Sequence, residues 1–254
     1  MKFFMTTGTL LWREIVQFLR QRNRVIGALL QPLLFWVLIG AGLNHSFRPG
    51  GASDVTYGAY FFPGILLMIL LFTSIFSTIS IIEDRNSGFL QGVLVAPVPR
   101  SGIVLGKILG GTVLGMMQAL LFLALILTPM VDLQLTMAGF VQLLAHMTLI
   151  GVMLTGLGTF IAWGMESSQG YHAIMSVFLF PLWIFSGAAF PVEGTPGWLH
   201  ALMVANPLTH GLYGMRNCFE GGGTAPASMG SLAYVVGCAV LLFFLSVRLV
   251  RRKS

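Results

Sequence analysis

The sequence predicts an all-α integral membrane protein with six transmembrane helices. An N-terminal amphipathic helix is expected on the membrane surface, and short outer-leaflet helices between the fifth and sixth spans. Three observations predict this class. Of the 254 residues, 56% are hydrophobic and only 9% are charged, whereas soluble domains carry about 25% charged residues. The apolar residues gather into six runs near the length of about 20 residues that crosses a bilayer. The basic residues gather on alternate sides of those runs, so the net charge of +6 reads as a topology signal beside anionic lipid and not as a nucleic-acid surface.

The first element is the amphipathic stretch 8–23. Leu11, Ile15, Phe18 and Leu19 recur at helical spacing, while Arg13, Glu14, Gln17, Arg20 and Gln21 occupy the other face. Such a helix lies on the inner leaflet, either as a lipid anchor or as one wall of a docking cleft. The basic residues here precede no short apolar core with a small-residue cleavage site, so a cleaved leader is not expected.

The six spans are expected at 25–43, 57–82, 103–128, 140–163, 173–190 and 231–250, with a tight turn between the fourth and fifth. With the N-terminus inside, the inner segments hold Lys2, Arg13, Arg20, Arg22, Arg24, Arg85, Arg100, Lys107, Arg248, Arg251, Arg252 and Lys253. The outer segments hold only Arg48 and Arg216. Twelve of the fourteen Lys and Arg residues thus share one side, and an odd number of spans would part the two terminal clusters. Both termini are expected in the cytoplasm.

The segment 83–100 is a charged insert between the second and third spans. It opens with Glu83, Asp84 and Arg85, runs through a mixed, helix-like stretch and stops at Pro97 and Pro99. A loop of this kind gives a soluble protein a grip at the membrane surface. The outer segment 191–230 is longer and partly apolar, with Trp198, Leu202 and Leu208, and is punctuated by Pro196, Asn206-Pro207 and the Gly221 to Gly223 run. Its pieces are too short to span and suit helices dipping into the outer leaflet. Small residues at Gly106 and Gly110, Gly111 and Gly115, and then Gly151, Gly156 and Gly158 predict close helix contacts within the subunit.

Polar groups within the spans are few. Gln31, Gln118 and His146 are candidates for a path lining or for helix-to-helix hydrogen bonds, and Gln142 joins them as a polar group at depth. No span carries a mid-depth acidic residue, which argues against a proton- or sodium-driven carrier. His146, His172, His200 and His210, with Glu193 and Glu220, are spaced irregularly and form no metal or catalytic pattern. An intramembrane lipid-modifying enzyme therefore gains no support. Motifs for hydrolysis, including the phosphate-binding Gly-rich loop, are absent, so no metal or nucleotide site is expected in this chain.

These pieces resemble the permease subunits of ABC-2 type transporters, the group that includes daunorubicin-resistance and polysaccharide-exporter permeases. The resemblance runs over nearly the whole chain. It is carried by Phe62-Pro63-Gly64, by Glu83, Asp84 and Arg85 with Gly88 and Leu90, by the ending Leu94, Pro97 and Arg100, and by Asn206-Pro207. It implies an ATP-driven exporter for a hydrophobic, lipid-linked or drug-like cargo in the bacterial inner membrane. Two permease subunits would pair, a homodimer being the simpler arrangement, and each would bind one cytoplasmic ATPase subunit that holds ATP and magnesium. The 83–100 loop would contain the coupling helix, with Glu166, Ser167 and Gln169 as a second contact. The 8–23 helix, with Arg13, Glu14, Phe18 and Arg20, would be the interfacial connecting helix. A scaffold that has lost transport is the alternative.

Overall fold

The computed structural model describes residues 2–20, 22–43, 56–128, 131, 133–219 and 229–252. Gln21, Arg48, Glu220, the Gly221 to Gly223 run and Lys253 lie outside the described residues. The described elements run α1 (Lys2–Arg20), α2 (Arg22–Leu43), α3 (Tyr57–Ser77), α4 (Ile79–Asn86), α5 (Phe89–Val95), α6 (Arg100–Leu123), α7 (Met137–Gly164), α8 (Ser168–Ile184), α9 (Gly197–Ala205), α10 (Pro207–Arg216) and α11 (Met229–Arg252).

Among the described residues, four helical stretches are long and apolar enough to cross a membrane: Tyr57–Asn86, Arg100–Leu127, Met137–Gly164 and Gly230–Arg252, of 30, 28, 28 and 23 residues. Two of the expected spans are shorter. The apolar part of α2 is Leu30–Leu43, and α8 has 17 residues, about 25 Å of helix at 1.5 Å per residue. Residues expected at the end of that fifth span, from Phe185 to Phe190, leave the helix in a turn through Gly187, whose φ is +81°.

α3 is the centre of the packing. Phe61, Phe62 and every residue from Ile65 to Leu71 are buried, as expected for a helix apolar on all its faces. It continues almost unbroken into α4. The joint is Thr78, whose hydroxyl donates to the Ile75 carbonyl at 2.7 Å and meets the buried Tyr171 hydroxyl at 2.8 Å. α6 and α7 pack against α3 through their small residues. A side chain at Gly111 would strike Ser77 and Thr155, at Gly151 Thr112, and at Gly158 Thr78. The Gly106 and Gly110 pair serves a different neighbour: both face α1, not another span. A Cβ at Gly106 would come within 2.9 Å of Leu10, and one at Gly110 within 2.9 Å of Glu14.

α1 differs from its expected orientation. Thr7, Leu10, Glu14 and Phe18 are buried against the body, while Phe4, Met5, Trp12 and Leu19 are exposed. Glu14 thus leaves the outer face assigned by hydropathy, because a buried cation on α6 compensates it. Among its described residues the segment 191–230 contains two short helices, α9 and α10. Asn206 joins them: its Oδ1 accepts the Leu208 N–H at 3.0 Å, and its Nδ2 donates to the Leu182 carbonyl at 2.7 Å. Pro207 follows at the first helical position, where its missing N–H costs nothing.

Candidate functional site

The insert between α3 and α6 is less of a loop than expected. Glu83, Asp84 and Arg85 remain in the last turn of α4. The chain then reverses at Gly88, whose φ of +79° lies in the left-handed region that only glycine adopts at low cost. α5 follows for two turns. Residues from Ala96 to Pro99 are extended at both ends, and the Pro99 carbonyl accepts the Gly102 and Ile103 N–H groups to start α6. Leu90 is buried beneath α5, whereas Phe89 and Val95 are exposed, Val95 at 88%. Pro97 is exposed and Leu94 half-buried. Arg100 closes the loop by donating to the Leu94 carbonyl at 2.6 Å. The result is a helical knob closed by its own hydrogen bonds, with Phe89 and Val95 among its exposed side chains.

Beneath the knob the three charges part company. Asp84 is 2% exposed and faces inward. Arg13 of α1 grips it with both guanidinium nitrogens, at 2.7 and 2.9 Å, the fork geometry that makes such pairs strong. Lys107 of α6 reaches the same carboxylate at 2.5 Å and the Glu14 carboxylate at 2.5 Å, with the Ser80 hydroxyl at 3.2 Å. Arg13 and Glu14 lie 3.7 Å apart. Two carboxylates and two cations therefore balance where isolated charges would each cost several kcal/mol to bury, of order 20 kcal/mol in the idealised limit. The Arg13 guanidinium also lies over the Phe89 ring, 3.9 Å from its centre, a cation–π contact. One network thus touches α1, α4, α5 and α6.

Arg85 turns the other way. It donates to the carbonyls of Trp163 and Met165 at 3.0 and 2.9 Å. These are end carbonyls of α7, where a cation is favoured by the helix dipole. The bond ties α4 to the turn holding Glu166, Ser167 and Gln169. Ser167 caps α8 by accepting the Gly170 N–H at 3.1 Å, and Glu166 and Gln169 are exposed. The two expected contact segments are therefore neighbours. Glu83 is half-buried and Arg20 exposed.

The candidate path residues separate. Gln31 lines a cleft of about 230 Å³ together with Phe18, Phe72, Thr73, Phe76 and His172. Gln118 is buried behind it and accepts the Thr73 hydroxyl at 2.5 Å. His146 lies elsewhere, bonded to the Gln142 carbonyl at 2.8 Å and packed on Gly214. The residue that sequence reasoning passed over is Lys107. By spacing alone it reads as one more inner positive charge. The signal was its position inside the expected 103–128 span, since an ionisable group within a membrane segment demands a partner.

Described residues that are predominantly helical, with several membrane-length helices and the helical knob of α4 and α5, fit a polytopic membrane protein. Residues 5–219 match the family model of the ABC-2 type transporter, and the chain belongs to that family. It is similar to the ycf38 protein of Cyanophora paradoxa, named for a proposed transport-permease role, with 29% identity over 219 residues, 84% of this chain and 74% of the relative. It is 26% identical over 256 residues to the daunorubicin resistance ABC transporter permease protein DrrB1 of Streptomyces coeruleorubidus, covering 98% of this chain and 87% of the relative. YbhR of Escherichia coli K12, named for a proposed multidrug ABC transporter permease role, matches at 28% over 159 residues, 62% of this chain and 42% of the relative.

Proposed function

We propose that this chain is the permease subunit of an ATP-driven exporter, coupled to a separate cytoplasmic ATPase through the 83–100 segment. The observation that carries the coupling role is the knob itself. α5 presents Phe89 and Val95 outward while its base is held by the Asp84 network and by Arg85. Exposed apolar side chains on a braced helix suit a protein groove, and the bracing would pass a push into the helices behind. Asp84 would act through the network, not by touching the ATPase. Glu166 and Gln169, exposed beside the Arg85 anchor, would form the smaller second contact. ATP and magnesium would be held by the partner.

In this reading six helices cross a bacterial cytoplasmic membrane, with both termini inside. α2 and α8 complete the four longer spans, α8 by continuing into the turn that follows it. α1 would lie in the inner leaflet, its exposed Phe4, Met5, Trp12 and Leu19 in contact with lipid, and α9 and α10 would sit in the outer leaflet. Among the described residues the cleft's lining is aromatic and uncharged, with Gln31, Thr73, Ser77 and His172 as its hydrogen-bonding groups. Such a lining favours a hydrophobic or amphipathic cargo over an anionic one. Two copies of the chain would pair around the path.

The test is purification of the chain from its native membrane in mild detergent. Recovery of an ATP-hydrolysing subunit in equal amount is the expected result. A complex that hydrolyses ATP yet moves no amphiphile in vesicles would favour a scaffold, and the absence of any ATPase would refute the exporter reading.

A further inference from the structure

Arg13 and Lys107 share Asp84 but differ in freedom. The Lys107 side chain is 2% exposed, Asp84 3% and Glu14 6%, whereas Arg13 is 32% exposed. Arg13 is also the member that contacts α5, through the Phe89 ring. A displaced α5 would therefore strain the Arg13–Asp84 pair through this ring contact. Without Lys107, Asp84 would then be left buried and unpaired, a strongly unfavourable state. With Lys107 on both carboxylates, Asp84 and Glu14 each keep a charge-assisted bond, and α1, α4 and α6 remain joined.

From these positions we infer that Lys107 is a positioning residue for coupling: a fixed counter-charge that allows Arg13 to release Asp84 when α5 moves. This rests on the ATPase-coupled reading above. The network is a joint with one sliding member and one anchored member. Simple structural glue would need no such division, because replacing a buried ion pair by apolar side chains of similar volume is often neutral or stabilising.

The experiment uses the full permease–ATPase complex in lipid vesicles and compares the ATPase rate with that of the ATPase subunit alone. The pair Glu14→Met with Lys107→Met removes one charge of each sign and leaves Arg13 closed on Asp84 with no substitute. The expected result is undiminished ATPase binding with permease-dependent stimulation reduced roughly tenfold, within the usual range of site-to-site coupling. Stimulation equal to that of the unaltered chain would overturn the inference and leave the network as packing. Milder variants give an independent comparison if the double variant fails to assemble. Glu14→Gln leaves Lys107 on Asp84 and is expected to retain stimulation, while Lys107→Gln is expected to lose it. Equal behaviour of these two, with binding intact, would also overturn the assignment. An unaltered chain that binds no ATPase would overturn the exporter reading and this inference with it, an outcome distinct from normal coupling in the variants.

Discussion

Gly110 shows how much one missing side chain positions. It lets the Glu14 stem lie against α6, which brings the carboxylate to Lys107 one turn away. Gly110→Leu would force α1 outward and open the ion network. We expect a loss of about 1–3 kcal/mol, the usual cost of overfilling a tight contact, read as a lower unfolding temperature of the purified chain. Gly8→Leu is the control, since nothing lies within 4 Å of that position, and should leave the temperature unchanged or raise it slightly, because leucine is the better helix former. At this scale the sequence was partly legible. The spacing of Gly106 and Gly110 foretold a close contact, but not that α1 would be the neighbour. Periodicity puts Arg13 and Glu14 on the polar face of the helix, because it weighs hydropathy and cannot see the charge 93 residues away that compensates Glu14. Lys107 was hidden for the same reason.

α5 depends on a turn that one residue type serves well. Gly88 holds a left-handed conformation with open space around the missing Cβ. Gly88→Ala therefore meets no clash and pays only the left-handed strain, about 1–2 kcal/mol. That strain falls on the joint between α4 and α5, so the body should stay folded while the knob tilts. Expected is a nearly unchanged unfolding temperature with weaker capture of the ATPase, measured by titrating the subunit onto the immobilised chain. Equal capture would show that the angle of α5 is unimportant. Among the elements, the long apolar runs announced α3, α6, α7 and α11 well, because burial in lipid or in protein leaves the same apolar imprint. The short helices α9 and α10 were legible from their length and from Asn206-Pro207. The 83–100 segment was harder. Its charges suggested a loop, yet Asp84 and Arg85 are helical and find partners on α1, α6 and α7, which no local pattern reveals. The cleft is likewise beyond local reading, since its walls come from four helices.

At the scale of the whole molecule, the proposed exporter predicts which end of the helices an ATPase would meet. The network, the Arg85 anchor and the exposed tip of α5 lie together, and Trp198 is exposed on the separate helix α9. The most direct measurement places a photo-crosslinking side chain at Val95, the exposed tip of α5, and a second at Trp198, in sealed vesicles of the native membrane. The expected result is a crosslink from position 95 to an ATP-binding subunit, enhanced or reduced by added nucleotide, with none from position 198. A crosslink to that subunit from position 198, or from neither position while the subunit remains bound, would contradict the assignment of α5 as the place where ATP hydrolysis is coupled to this permease.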